Sequence, residues 1–102
     1  MEGSYISDVR QALATFQLPW QQLSGSNILV LGATGLIGGA LVDLLMQHDG
    51  GDYHVYAAGR NEARANKRFA HYQGDEHYHF ICFDVTNPLA TDIRFDYIVD
   101  AA

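Results

Sequence analysis

The sequence predicts an α/β fold, a doubly wound parallel sheet of which the chain supplies the N-terminal part, about four strands, behind an N-terminal helical extension. Three observations carry this. Residues 28–31 are apolar without alternation, as in a strand buried on both faces. Across "ILVLGATGLIGGALVDLL" the hydrophobic period then changes from strand-like to helical, with glycines at the junction. Further strand and helix patterns alternate along the chain, and alternating elements give a parallel sheet with helices on its faces.

The elements follow in order. Residues 4–16 place apolar side chains at Tyr5/Ile6, Val9, Ala12/Leu13 and Phe16, a helical spacing with one apolar face, and Pro19 stops it. Leu18, Trp20 and Leu23 are expected to pin this segment to a neighbouring surface. Residues 1–25 thus read as the extension and 26–102 as the main domain, with "SGSN" turning into the first strand at 27–31. Leu36/Ile37, Ala40/Leu41 and Leu44/Leu45 mark a helix ending near His48, with Gly50-Gly51 suited to a left-handed cap. Residues 53–58 form the second strand. A polar, basic helix covers 61–72, with Asn61 as its N-cap. Residues 77–85 and 95–102 form the third and fourth strands. No helix follows the fourth, so the chain is expected to be the first part of a longer protein.

Composition narrows the function classes. The chain has 102 residues and a formal charge of −6, which disfavours nucleic acid and anionic membranes as general partners. Its one cysteine, Cys82, excludes an internal disulfide and reads as a small buried apolar residue. No stretch reaches the roughly 18 apolar residues of a membrane span, and no signal-type segment opens the chain. The expected location is cytoplasmic.

The glycines sit where a strand passes through a loop into a helix. Gly32 permits the tight turn, Gly35 lets backbone approach a pyrophosphate, and Gly38 lets the helix lie close to the strand. Free amides at the helix start supply partial positive charge, so no lysine is needed. A Walker-type loop would require Gly-Lys-Ser/Thr, which "GLIGGAL" lacks. The alternative is a glycine-rich turn that binds nothing.

Gly32-Ala33-Thr34-Gly35-Leu36-Ile37-Gly38 resembles the GxxGxxG fingerprint of the extended short-chain dehydrogenase/reductases, the nucleotide-sugar epimerases, dehydratases and decarboxylases. The resemblance spans residues 27–102. It implies a Rossmann-type NAD(P)-binding domain in an oxidoreductase-type parent enzyme that acts on a nucleotide sugar and forms a homodimer. It further implies that Asp84 and Val85 hold the adenine, and that Ala101 and Ala102 leave room for the pyrophosphate and the second ribose. The alternatives are an Asp capping the turn "DVTNP" and plain core alanines.

The end of the second strand selects the dinucleotide. An acidic residue there would take the ribose hydroxyls of NAD. This strand ends "AAGRN", and Arg60 stands 22 residues after Gly38. Arginine pairs well with a 2′-phosphate, so NADP(H) is favoured and NAD(H) is the other candidate. Arg64, Lys67 and Arg68 follow, so four of six basic residues lie between 60 and 68. The alternative is a solvated basic helix face. Asn61 can donate to the same phosphate while capping the helix.

No catalytic residue is expected within the chain. The family's hydride chemistry uses a Tyr-x-x-x-Lys pair, and the residue four before the single lysine, Lys67, is Ala63. The six tyrosines read as packing residues of strands or the N-terminal helix. The chain alone is expected to be inactive, and a non-catalytic NAD(P)-sensing protein is the alternative. His77 and His79 share a strand face without a third metal ligand, and His48, His54 and His71 read as isolated.

Overall fold

The computed structural model describes residues 7–8, 11, 20–48, 51–83 and 92–101. Ser7, Asp8 and Gln11 are helical, and the rest of the expected first helix, with Leu18 and Pro19, lies outside the described residues. A short helix α1 (Trp20–Leu23) leads into β1 (Asn27–Leu31), α2 (Leu36–Met46), β2 (His54–Gly59), α3 (Glu62–Arg68), a 3-10 turn (Ala70–Tyr72), β3 (Tyr78–Cys82) and β4 (Tyr97–Asp100). The four strands form one parallel sheet in the order β3-β2-β1-β4. This is the expected partial Rossmann arrangement.

The central strands are apolar because both their faces are covered. Ile28, Val30, Val55 and Ala57 face the helices and join Val42, Leu45, Ala65, Phe69, Tyr72 and Tyr78 in the core. Leu29 and Ala58, on the opposite face, are also buried. Phe69 is the largest fully buried side chain. It lies between α3 and β3, with ring centroids 5.8 Å from Tyr78 and 6.2 Å from Tyr72.

The helix patterns need three corrections. Leu36 and Ile37, expected on the apolar face of α2, are 92% and 67% exposed. The inward face instead runs through Gly38, Gly39, Val42, Asp43 and Leu45, because the glycines press that side of the helix against the loop. Gly51 is not in the left-handed region; Gln47, in a right-handed conformation, caps α2 by donating its amide to the Asp43 carbonyl. Gly50 lies outside the described residues. The basic helix ends at Arg68, where Phe69 leaves helical geometry to enter the core and a 3-10 turn follows. Tyr72, expected as the last residue of that helix, is therefore a turn residue.

Among the described residues, Asp43 is the one charged residue that is buried. Its side chain is fully buried, and Arg68 Nη2 donates to its Oδ2 at 2.7 Å. The Tyr72 hydroxyl donates to its Oδ1 at 2.6 Å. Burial, then the Asp43 hydrogen bond, raises the Tyr72 pKa well above its ordinary value of 10.0, so the hydroxyl stays protonated as a donor. Removing one partner of such a pair leaves a buried charge uncompensated, at a cost of about 3–5 kcal/mol.

The amino ends of the strands hold two aromatic assemblies. Trp20 stacks on His48 with centroids 3.8 Å apart, and Tyr53 follows at 6.3 Å. The Tyr53 hydroxyl donates to the Leu45 carbonyl near the end of α2. On the sheet face away from the helices, His54 Nδ1 and His79 Nε2 are 2.9 Å apart. Tyr56 stacks on His79 at 4.5 Å, and Phe95 meets Tyr56 edge-on. His48 and His54 are thus not isolated: parallel register brings His54 beside His77 and His79.

This histidine group makes stability pH-dependent. Burial, then the facing His54 and His77, lowers the His79 pKa below its ordinary 6.5, while Asp75 opposes the shift. The unfolded chain takes this proton first, so the contribution is complete above about pH 6.5 and is lost as pH falls through the folded-state value. The melting temperature is expected to drop as pH falls below about 6.5. His79→Gln should flatten that part of the profile; an unchanged profile would assign the loss to other groups.

Candidate functional site

The carboxyl ends of all four strands lie along one rim. β1 leaves the sheet at Gly32, whose φ of 72° lies in the left-handed region and suits glycine. The Ala33 amide donates to the Ala58 carbonyl at 3.0 Å, which ties the loop to β2. The Gly35 amide donates to the Gly32 carbonyl at 3.1 Å, and Gly35 then starts α2 with no side-chain cap. No acidic residue stands in the first turn of α2. These features leave a helix start whose partial positive charge is not cancelled locally, an arrangement suited to an anion.

Gly38 carries the tightest constraint. A Cβ there would stand 2.1 Å from the Gly32 carbonyl oxygen and 2.9 Å from the Ala33 Cα. Those atoms are backbone and cannot swing aside. Gly35 is less restricted, with the Gly32 oxygen 3.3 Å from a Cβ built there.

The end of β2 meets the same loop. A Cβ at Gly59 would lie 3.6 Å from both Thr34 Cγ2 and Thr34 Oγ1. Arg60 and Asn61 follow, both exposed. Asn61 Oδ1 accepts from the Arg64 amide at 3.0 Å, so this side chain is the expected N-cap of α3. At the end of β3, the Phe83 amide donates to the Gly59 carbonyl at 2.7 Å, and Cys82 Sγ lies 3.8 Å from the Arg60 carbonyl. At the end of β4, the Ala101 amide donates to the Leu31 carbonyl at 3.0 Å.

The rim thus brings together Gly32, Ala33, Thr34, Gly35, Leu36, Ile37, Gly38, Arg60, Asn61 and Ala101. Asp84, Val85 and Ala102 lie outside the described residues. Two basic residues of the 60–68 cluster, Arg64 and Lys67, are exposed, while Arg68 turns inward to Asp43. Cys82, expected in the core, is exposed because β3 is an edge strand and Cys82 is its last residue. Among the described residues no group of three or more His, Cys, Asp or Glu side chains is arranged to hold a metal ion.

The order β3-β2-β1-β4 reverses direction between β1 and β4, and the carboxyl ends beside such a reversal are where open α/β sheets take ligands. A family model described as the NAD dependent epimerase/dehydratase family matches residues 28–102, from the second residue of β1 onward. The chain belongs to the NAD-dependent epimerase/dehydratase family. No curated protein matches it in sequence. Membership links the chain to a dinucleotide-binding, oxidoreductase-type family, and the glycine loop lies within the matched region. No helix among the described residues is long and apolar enough to cross a membrane.

In this family member Asp43 and Arg68 were missed as partners by sequence reasoning. Asp43 within "LVDLLM" draws no reading from its pattern, and Arg68 reads as one of the basic cluster at residues 60–68. The available signal was Gly39, a fourth glycine that the three-glycine spacing does not require.

The geometry separates two glycines by consequence. Gly38→Ala should cost about 3 kcal/mol and lower the melting temperature sharply, because backbone must move. Gly59→Ala, whose Cβ meets only ordinary contacts, should leave the melting temperature within a few degrees of wild type. Calorimetry of the two variants checks both, and equal melting temperatures would contradict the close approach at Gly38.

Proposed function

We propose that the chain is the dinucleotide-binding portion of an NAD(P)-dependent epimerase, dehydratase or reductase acting on a nucleotide sugar, with NADP(H) favoured over NAD(H). One observation carries the reading. Thr34 of the glycine loop abuts Gly59, so the uncapped start of α2 and the Arg60-Asn61 pair share one rim. The residues fit the cofactor: the Gly32–Gly38 approach leaves backbone bare where a pyrophosphate would lie, and no carboxylate stands at residues 57–61 to repel a 2′-phosphate.

In this reading the amides at the start of α2 take the pyrophosphate. Arg60 pairs with the 2′-phosphate through its planar guanidinium. Asn61 supports Arg60 by fixing the start of α3 and offers its amide to the same phosphate. Asp84 and Val85 take the adenine, and Ala101 and Ala102 leave space for the pyrophosphate and second ribose. When bound, the cofactor supplies reversible hydride transfer to a sugar carbon. The parent enzyme works as a homodimer in the cytoplasm, with residues 1–25 an extension on the domain of residues 26–102.

A second reading takes the same rim, because the glycine loop would look alike in a protein that binds the dinucleotide without turning anything over. A non-catalytic NAD(P) sensor would bind cofactor through the same rim and turn over no nucleotide sugar. Incubating the intact protein with NADP(H) and a panel of nucleotide sugars separates the two, since only an enzyme changes the sugar.

Arg60→Ala is expected to weaken NADP(H) about tenfold or more and NAD(H) hardly at all, the size of a lost charge-assisted hydrogen bond. Calorimetric titration of both cofactors reads this directly. Equal weakening of both would remove Arg60 from the 2′-phosphate.

A further inference from the structure

Gly39 has its own neighbours. A Cβ there would stand 2.9 Å from Arg68 Nη2 and 3.2 Å from Nε, so the guanidinium crosses α2 where glycine leaves it room. From that position it reaches Asp43, one helical turn further along the same face. The carboxylate is fully buried, whereas the Arg68 side chain is 30% exposed. Gln47, one turn beyond Asp43, donates from Nε2 to the Tyr72 hydroxyl at 3.2 Å. Residues 39, 43 and 47 of one helical segment therefore meet residues 68 and 72 of the next.

This seam joins the two segments that present the rim. α2 begins at the glycine loop. α3 begins at Asn61, directly after Arg60. Rotating or sliding one helix against the other would break the ion pair at 2.7 Å and the Tyr72 hydrogen bond at 2.6 Å. The seam lies behind the rim, and none of its side chains is among the rim residues.

We propose that Asp43 and Arg68, seated over Gly39, are positioning residues that hold Arg60 in register with the glycine loop and so set the preference for a ribose 2′-phosphate. The inference rests on the dinucleotide reading above. Arg68, though part of the basic cluster, acts on the phosphate only through this placement. The pyrophosphate contacts come from α2 itself and do not depend on where α3 sits. The 2′-phosphate contact depends on both helices, because one end of the dinucleotide is held by each.

Two variants test this in the intact protein. Gly39→Ala keeps both charges and is favourable for the helix, yet displaces the flexible guanidinium tip. Asp43→Asn removes the charge while leaving an acceptor for Tyr72. NADP+ and NAD+ dissociation constants are measured by calorimetric titration, alongside melting temperatures. The NADP+/NAD+ preference is expected to fall about tenfold in both variants, with NAD+ affinity near that of wild type. A seam that is merely structural would weaken both dinucleotides by the same factor, or shift only the melting temperature, and either result overturns the inference. If Asp43→Asn does not fold, Gly39→Ala decides alone. Wild-type protein that binds neither dinucleotide, or both equally, overturns the underlying reading and the inference with it.

Discussion

Backbone meets backbone where Gly38 lies on the Gly32 carbonyl, and no side chain fits between them. That approach fixes the direction in which α2 leaves the loop. With the helix so seated, Val42 and Leu45 reach the sheet, and Asp43 turns toward α3. The first-turn residues Leu36 and Ile37 are left pointing outward. Glycine within a helix costs about 1 kcal/mol relative to alanine, and two adjacent ones would ordinarily weaken α2. Here each glycine makes room for something specific: Gly38 for the loop carbonyl and Gly39 for the Arg68 guanidinium.

Parallel strands divide the molecule into two ends. The carboxyl ends collect glycine, small and polar residues with bare backbone. The amino ends collect rings: Trp20, His48, Tyr53, His54, His77 and Tyr56. The start of β4 is tied down at this end, where the Asn27 amide donates to Asp96 Oδ2 at 2.8 Å and the Asn27 side chain donates to the Arg94 carbonyl. The ring contacts thereby gather at one end of the strands and the bare glycine backbone at the other. The electrostatics follow a similar division. The chain is acidic as a whole, yet its basic cluster surrounds one rim and one helix, and Asp43 neutralises the single member that turns inward.

Much of this was legible because it depends on local pattern. The bounds of β1 follow from an uninterrupted apolar run between a turn and a glycine. Asn61 as a cap follows from its place before a helical stretch, and the Gly38 contact follows from its spacing to Gly32. The positions that were not legible depend on tertiary partners. Asp43 is buried because Arg68 and Tyr72, 25 and 29 residues away, converge on it. Leu36 and Ile37 fit an apolar helical period and yet are exposed, because bare glycines outrank leucine when backbone must touch backbone. His54 acquires partners only through strand register, which a single strand does not reveal.

The stack of Trp20 on His48 has a spectroscopic consequence. Trp20 is the only tryptophan in the chain, and it sits at the amino end of the sheet, away from the glycine loop. Its emission therefore reports the docking of α1 against the end of α2 and the start of β2. The chain carries its own optical probe of how its amino-terminal segment is seated, and that probe is separated from whatever binds at the opposite rim.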